Sequence, residues 1–128
     1  MSSNLWGSLP SIETIKVPLT ILREQAKMLT ELTKGVLMGR IRSKDKGNGL
    51  KAHTLEIVAP LLHNYAFLVC IVDHNVQLYP LTLEAPSESK VYQCASEEAF
   101  VKQLATLLRG DRVHCAIAGM LAQSKSAK

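Results

Sequence analysis

The sequence predicts an α+β domain: an N-terminal helix, an antiparallel meander of four to five strands, and two C-terminal helices packed on the sheet. Three observations predict it. Apolar residues recur at helical spacing over 18–34 and again beyond residue 96, while residues 36–94 alternate as strands do. Turn-forming residues, Gly47-Asn48-Gly49 and Pro60 among them, divide that middle stretch. The chain has 128 residues, 47% hydrophobic and 20% charged, enough to build one core and too apolar for a disordered chain.

Residues 1–17 lack a sustained period, although Leu5, Trp6, Leu9, Ile12 and Ile15 are apolar. They are expected to form an arm that packs on the domain or on a second copy. The domain itself is expected over 18–123, with a flexible tail at 124–128. Its first helix, 18–34, opens on Pro18, whose missing N–H costs nothing in a first turn. Leu22, Ala26, Leu29 and Leu32 form the buried stripe, and Gly35 is placed to close the helix in a left-handed cap.

After Gly35 the period changes. VLMGRIR (36–42) and KAHTLEIVA (51–59) flank SKDKGNG and predict a β-hairpin, because Gly47, Asn48 and Gly49 tolerate positive φ. In the second of these strands His53, Leu55, Ile57 and Ala59 share one face, and Thr54, Glu56 and Val58 the other. NYAFLVCIV (64–72) is apolar on both faces, as a central strand would be. Asp73-His74-Asn75 is expected to reverse the chain before VQLYPLTLE (76–84), where Pro80 suggests an edge strand or a bend. APSES (85–89) reads as a loop and KVYQC (90–94) as a last short strand.

Ser96 is placed to cap the next helix, with Glu97 and Glu98 at the positive end of its dipole and Phe100, Leu104, Leu107 and Leu108 buried. Asp111 is expected to cap a third helix, 112–123, that buries Val113, Ala116, Ile117, Met120 and Leu121. The segments VPLTILREQAKML, LYPLTLE and GMLAQS resemble pieces of small uncharacterised bacterial and phage α+β proteins, across residues 17–124. That resemblance implies the same helix, sheet, helix order and a bacterial or phage-borne origin. Its motifs are packing patterns and carry over no active site.

The charge is local. Fifteen basic and eleven acidic residues leave +4, and RIRSKDKGNGLK (40–51) holds five cations against Asp45, which equals the whole excess. On a strand Arg40 and Arg42 point the same way, and Lys44 and Lys46 continue the series. Such a cluster suits an anionic surface, but it also suits a solvated hairpin tip, where lysines guard against aggregation. Stacking aromatics, the other half of a nucleic-acid site, are absent from the segment; Tyr65 is the nearest.

Other chemistries find less support. Cys70, Cys94 and Cys115 are odd in number and widely spaced, which predicts reduced thiols and a cytoplasmic protein. No apolar run is long enough to cross a bilayer. The histidines (53, 63, 74 and 114) and cysteines fit no metal-ligand spacing, no GxSxG elbow or phosphate loop occurs, and His53 and Glu56 face opposite sides of their strand. The expectation is therefore a non-catalytic protein-interaction module without metal or cofactor, of the immunity-protein or inhibitor kind. It would contact a partner protein, or a second copy as a homodimer, through Trp6, Arg40, Arg42, Lys44 and Lys46. The alternative is a nucleic-acid-binding protein that uses the same hairpin.

Overall fold

The computed structural model describes residues 3–9 and 16–127. Helix α1 (Pro18–Leu32) is followed by strands β1 (Met38–Gly47), β2 (Leu50–Ala59), β3 (Tyr65–His74), β4 (Leu81–Ala85) and β5 (Lys90–Cys94). Helices α2 (Glu97–Leu108) and α3 (Asp111–Ser126) complete the domain. The strands form one antiparallel sheet in the order β1-β2-β3-β4-β5. The α+β meander expected from the residue pattern is the observed fold.

Local chemistry sets the element ends. Helix α1 closes in a Schellman arrangement, with Gly35 N–H donating to the Thr30 carbonyl and Lys34 N–H to that of Glu31. Lys34 takes the first left-handed position and Gly35 the second, one residue earlier than expected. The turn between β1 and β2 is only Asn48-Gly49, both at positive φ as a two-residue hairpin loop demands. Residues 43–47, expected in the loop, are therefore strand. Ser96 caps α2 by accepting from Ala99 N–H.

Three expectations are corrected. Asp73 and His74 end β3 rather than forming a turn, and the reversal falls on Asn75–Pro80. Of the two alternatives at Pro80 the bend is the one found: β4 starts after it and lies between β3 and β5 as an interior strand, and the proline, standing outside the strand, removes no ladder donor. Gly110, not Asp111, occupies the cap position of α3, and that helix continues to Ser126 with Ser124 fully buried, where a flexible tail was expected from residue 124.

All three helices pack on one face of the sheet. The core joins Ile21, Leu22 and Ala26 of α1 and Phe100, Leu104, Leu107, Val113 and Met120 of α2 and α3 to Leu55, Ile57, Val72, Leu81 and Leu83. The seating of α1 is close: Gly39 of β1 lies directly beneath Ala26, and its N–H donates to Thr30 Oγ1. The pairing of β2 with β3 slips by one residue, from Leu55↔Cys70 to Glu56↔Leu68. Val69 is thus an extra residue, a β-bulge, and the side chains of Cys70, Val72 and His74 fall on the helix face because of it. Among the described residues no helix covers the other face, which carries Met38, Arg40, Arg42, Lys44, Glu56, Val58, Leu68, Ile71 and Val91.

The described part of the N-terminal arm packs on nothing. Leu5, Trp6 and Leu9 are exposed, Trp6 at 81%. Ile12 and Ile15 lie outside the described residues. The arm's junction is anchored, since Lys16 N–H donates to Glu97 and the Lys16 carbonyl accepts from Tyr79.

Candidate functional site

Two arrangements carry chemistry, one on each face of the sheet. On the uncovered face, register places Arg40 opposite Glu56 and Arg42 opposite Thr54. Glu56 is only 6% exposed, and both guanidinium groups close over it: Arg40 Nη2 at 2.9 Å and Arg42 Nε at 3.1 Å from Oε1. Desolvating a carboxylate is costly unless it is paired, and two forked donors satisfy it here. Lys46 pairs with Asp73 at 3.2 Å, and Asp45 accepts from Gly47 N–H. Three of the five hairpin cations are therefore engaged, while Lys44 and Lys51 make no ion pair among the described residues. With Glu56 and Asp73 included, five cations stand against three carboxylates, so the tip is less positive than its own sequence indicates. Around this cluster the face mixes apolar and polar side chains: Met38 is 47% and Val91 60% exposed and Leu68 and Ile71 are half-buried, beside Thr54, Thr82, Glu84 and Gln93. No aromatic residue lies on it among the paired positions.

On the helix face, β2 and β3 bring together two histidines that are far apart in sequence. His53 (2% exposed) and His74 (7%) meet with their Nε2 atoms 2.9 Å apart. Ser43 Oγ, on the neighbouring strand β1, lies 2.7 Å from His53 Nδ1, and His74 Nδ1 lies 2.9 Å from the Asn75 carbonyl oxygen. The protons of the neutral chain follow from that last contact. A carbonyl can only accept, so His74 carries its proton on Nδ1 and leaves Nε2 bare. His53 must then donate from Nε2 to His74, which leaves its own Nδ1 to accept from the Ser43 hydroxyl. Every ring nitrogen is satisfied, and the order runs from Ser43 through His53 and His74 to the backbone.

The environment keeps His53 neutral. Its pKa is held below the ordinary imidazole value, first by burial, then by the charges of His74, Lys51 and Arg23, against a smaller opposing pull from Asp73. The two buried thiols are poor nucleophiles. Burial pushes Cys70 up to about 12 and raises Cys94, so neither forms a thiolate readily at neutral pH. Cys115 is exposed on α3. No group of three His, Cys, Asp or Glu side chains suited to a metal occurs among the described residues, and no described helix is long and apolar enough to cross a membrane.

The residues expected at a contact site thus divide. Arg40, Arg42 and Lys44 share the uncovered face, Lys46 is tied to Asp73 at the tip, and Trp6 stands apart on the arm. Composition could not find the Ser43–His53–His74 chain, because it depends on strand register. Comparison with family models, curated proteins and solved structures finds no match to this chain.

Proposed function

We propose that this chain is a protein-interaction module whose binding surface is the sheet face opposite the helices. One observation carries the reading: that face leaves Met38, Leu68, Ile71 and Val91 in contact with water, although a five-stranded sheet with one covered side needs only polar residues on the other. Arg40, Arg42 and Lys44 supply a polar margin on β1, and the Arg40–Glu56–Arg42 cluster is rigid enough to keep its shape on contact. Trp6 and Leu5 on the exposed arm offer a second apolar contact, of the residue type that anchors interfaces.

The partner is another protein, and a second copy is the simplest one. Two such faces stacked about an axis parallel to the strands would set β1 of one copy over β5 of the other, bringing the arginines toward the Glu84 side. A nucleic-acid partner is favoured less, since the two arginines already hold Glu56 and the face offers no ring for a base to stack on.

The test is a nuclease-treated pull-down at low and high salt, run beside sedimentation of the purified chain, for the parent and for Met38→Glu with Val91→Arg. A bound protein or a dimer that survives high salt and is lost in the double variant supports the reading. Unchanged binding in that variant, or capture of nucleic acid alone that salt strips away, removes it.

A further inference from the structure

We propose that Ser43 is an activated nucleophile, a hydroxyl that accepts an acyl group from an activated ester with His53 as its general base and His74 as the positioning residue. This goes beyond the binding role and does not rest on it, because the three side chains lie on the helix side of the sheet.

A serine hydroxyl is a weak nucleophile at its own pKa and reacts only when a neighbouring base can take its proton. The structural signature is a nucleophile within hydrogen-bond reach of a base that is itself held by a third group. Here the Ser43–His53 contact is 2.7 Å and the His53–His74 contact is 2.9 Å. Direction matters as much as distance. The Asn75 carbonyl fixes the His74 tautomer, which fixes that of His53, which leaves Nδ1 free to receive the Ser43 proton. Exposure is divided as the chemistry needs: both imidazoles are buried and held in place, whereas Ser43 is exposed on an edge strand.

The charges nearby have the right sign. Arg23 of α1 and Lys51 of β2 make their field felt at His53, and the same field favours the oxyanion that forms on an attacked carbonyl. Asp73, whose charge opposes them at His53, is itself paired with Lys46.

The step balances within these groups. Ser43 Oγ bonds to the acyl carbon as its proton passes to His53 Nδ1, giving a tetrahedral oxyanion. Collapse breaks the ester C–O bond, and the leaving alkoxide or phenoxide takes up the proton from the imidazolium. The products are an acyl-serine and a free alcohol or phenol.

The probe is p-nitrophenyl acetate, incubated with the whole chain at neutral pH and followed by released nitrophenol, intact mass and peptide mapping. One acetyl group per chain, located on Ser43, is expected, with none in Ser43→Ala. His53→Gln should slow the acetylation about 100-fold. His74→Gln, which keeps an acceptor for the His53 N–H, should be slowed less than His74→Leu; equal losses would reduce His74 to packing and overturn its positioning role. The rate in the parent should rise with pH as His53 loses its proton and pass its half-maximum below the ordinary imidazole value of about 6.5. Acetylation of Ser43 no faster than of the exposed Ser89, or equal rates in the parent and in a folded His53→Gln, would overturn the proposal. Should His53→Gln fail to fold, the parent decides alone: Ser43 must outpace Ser89 by about tenfold or more.

Discussion

Replacing Gly39 by alanine tests how α1 is seated on the sheet. A Cβ built on Gly39 would lie 2.4 Å from both the Ala26 Cα and the Ala26 carbonyl oxygen, and 2.6 Å from the Ala26 Cβ. Carbon atoms in good contact stand about 3.5–4.0 Å apart, so the helix must retreat by about 1 Å or the strand must bend away. The obstructing atoms are mainly backbone, so no rotamer change relieves the clash. A gap of that size forfeits between about a quarter and a half of the dispersion energy at the facing contacts of Ile21, Leu22 and Ala26. It also stretches the Gly39 N–H bond to Thr30 Oγ1, now 3.0 Å. Overpacking typically costs about 1–3 kcal/mol and a lost hydrogen bond about 1. The stiffer unfolded chain returns about 0.4–1 kcal/mol. The net expectation is a loss of about 1–3.5 kcal/mol. With a urea slope of about 2 kcal/mol/M, the unfolding midpoint should fall by about 0.5–2 M. Gly119→Ala is the matched control: nothing lies within 4 Å of its added Cβ inside α3, so the same chemical change should stabilise by up to about 1 kcal/mol. A Gly39→Ala protein as stable as its parent would refute the seating of α1 on β1.

Two further perturbations probe the polar clusters. Because folded His53 resists protonation, the unfolded chain binds the extra proton once the pH falls below about 6.5, so stability is full above that value and is lost as pH falls toward the depressed folded one. Urea midpoints measured from neutral pH downward should decline with a slope of at most about 1.4 kcal/mol per pH unit from this residue, and His53→Gln should flatten the decline; an unchanged slope in that variant contradicts the assignment. Glu56→Gln leaves two arginines facing a neutral amide, but both are well exposed and can turn to water, so a loss of about 1–2 kcal/mol in thermal or urea unfolding is expected, and none at all would mean the cluster adds no stability.

Where periodicity was strong, the fold could be read before the structure. The α1 stripe, the apolar β3 and the Ser96 cap all have one dominant local cause, and each element lies where that cause puts it, except that Leu32, expected in the stripe, stands 82% exposed at the end of α1 while Ile21 is buried instead. Charge hid the rest. Residues 43–47 resemble a loop because both their faces are polar, yet hydrogen bonding to β2 extends them as strand beyond the reach of the helices. Asp73-His74-Asn75 has the composition of a turn, and tertiary pairing with Lys51 and Ala52 overrides it. Arg40 and Arg42 could be placed on one face from sequence, but Glu56 as their shared partner needed the β1–β2 register. For the histidine pair the only signal was indirect. His53 lies on the apolar face of its strand, and finding its mate required both the register of β3 and the position of its extra residue.

That extra residue, Val69, decides what the far half of β3 presents to each side. Were Val69 to take an ordinary place in the ladder instead of bulging out of it, the pairing that starts at Ala59↔Tyr65 would run on unbroken, setting His74 across from Leu50 instead of Lys51. Its imidazole would then point away from His53, while Cys70 and Val72 would leave the interior and Ile71 and Asp73 would enter it. A single unpaired valine thus acts as a phase shift in the strand, and the two-sided character of the whole domain is timed by it.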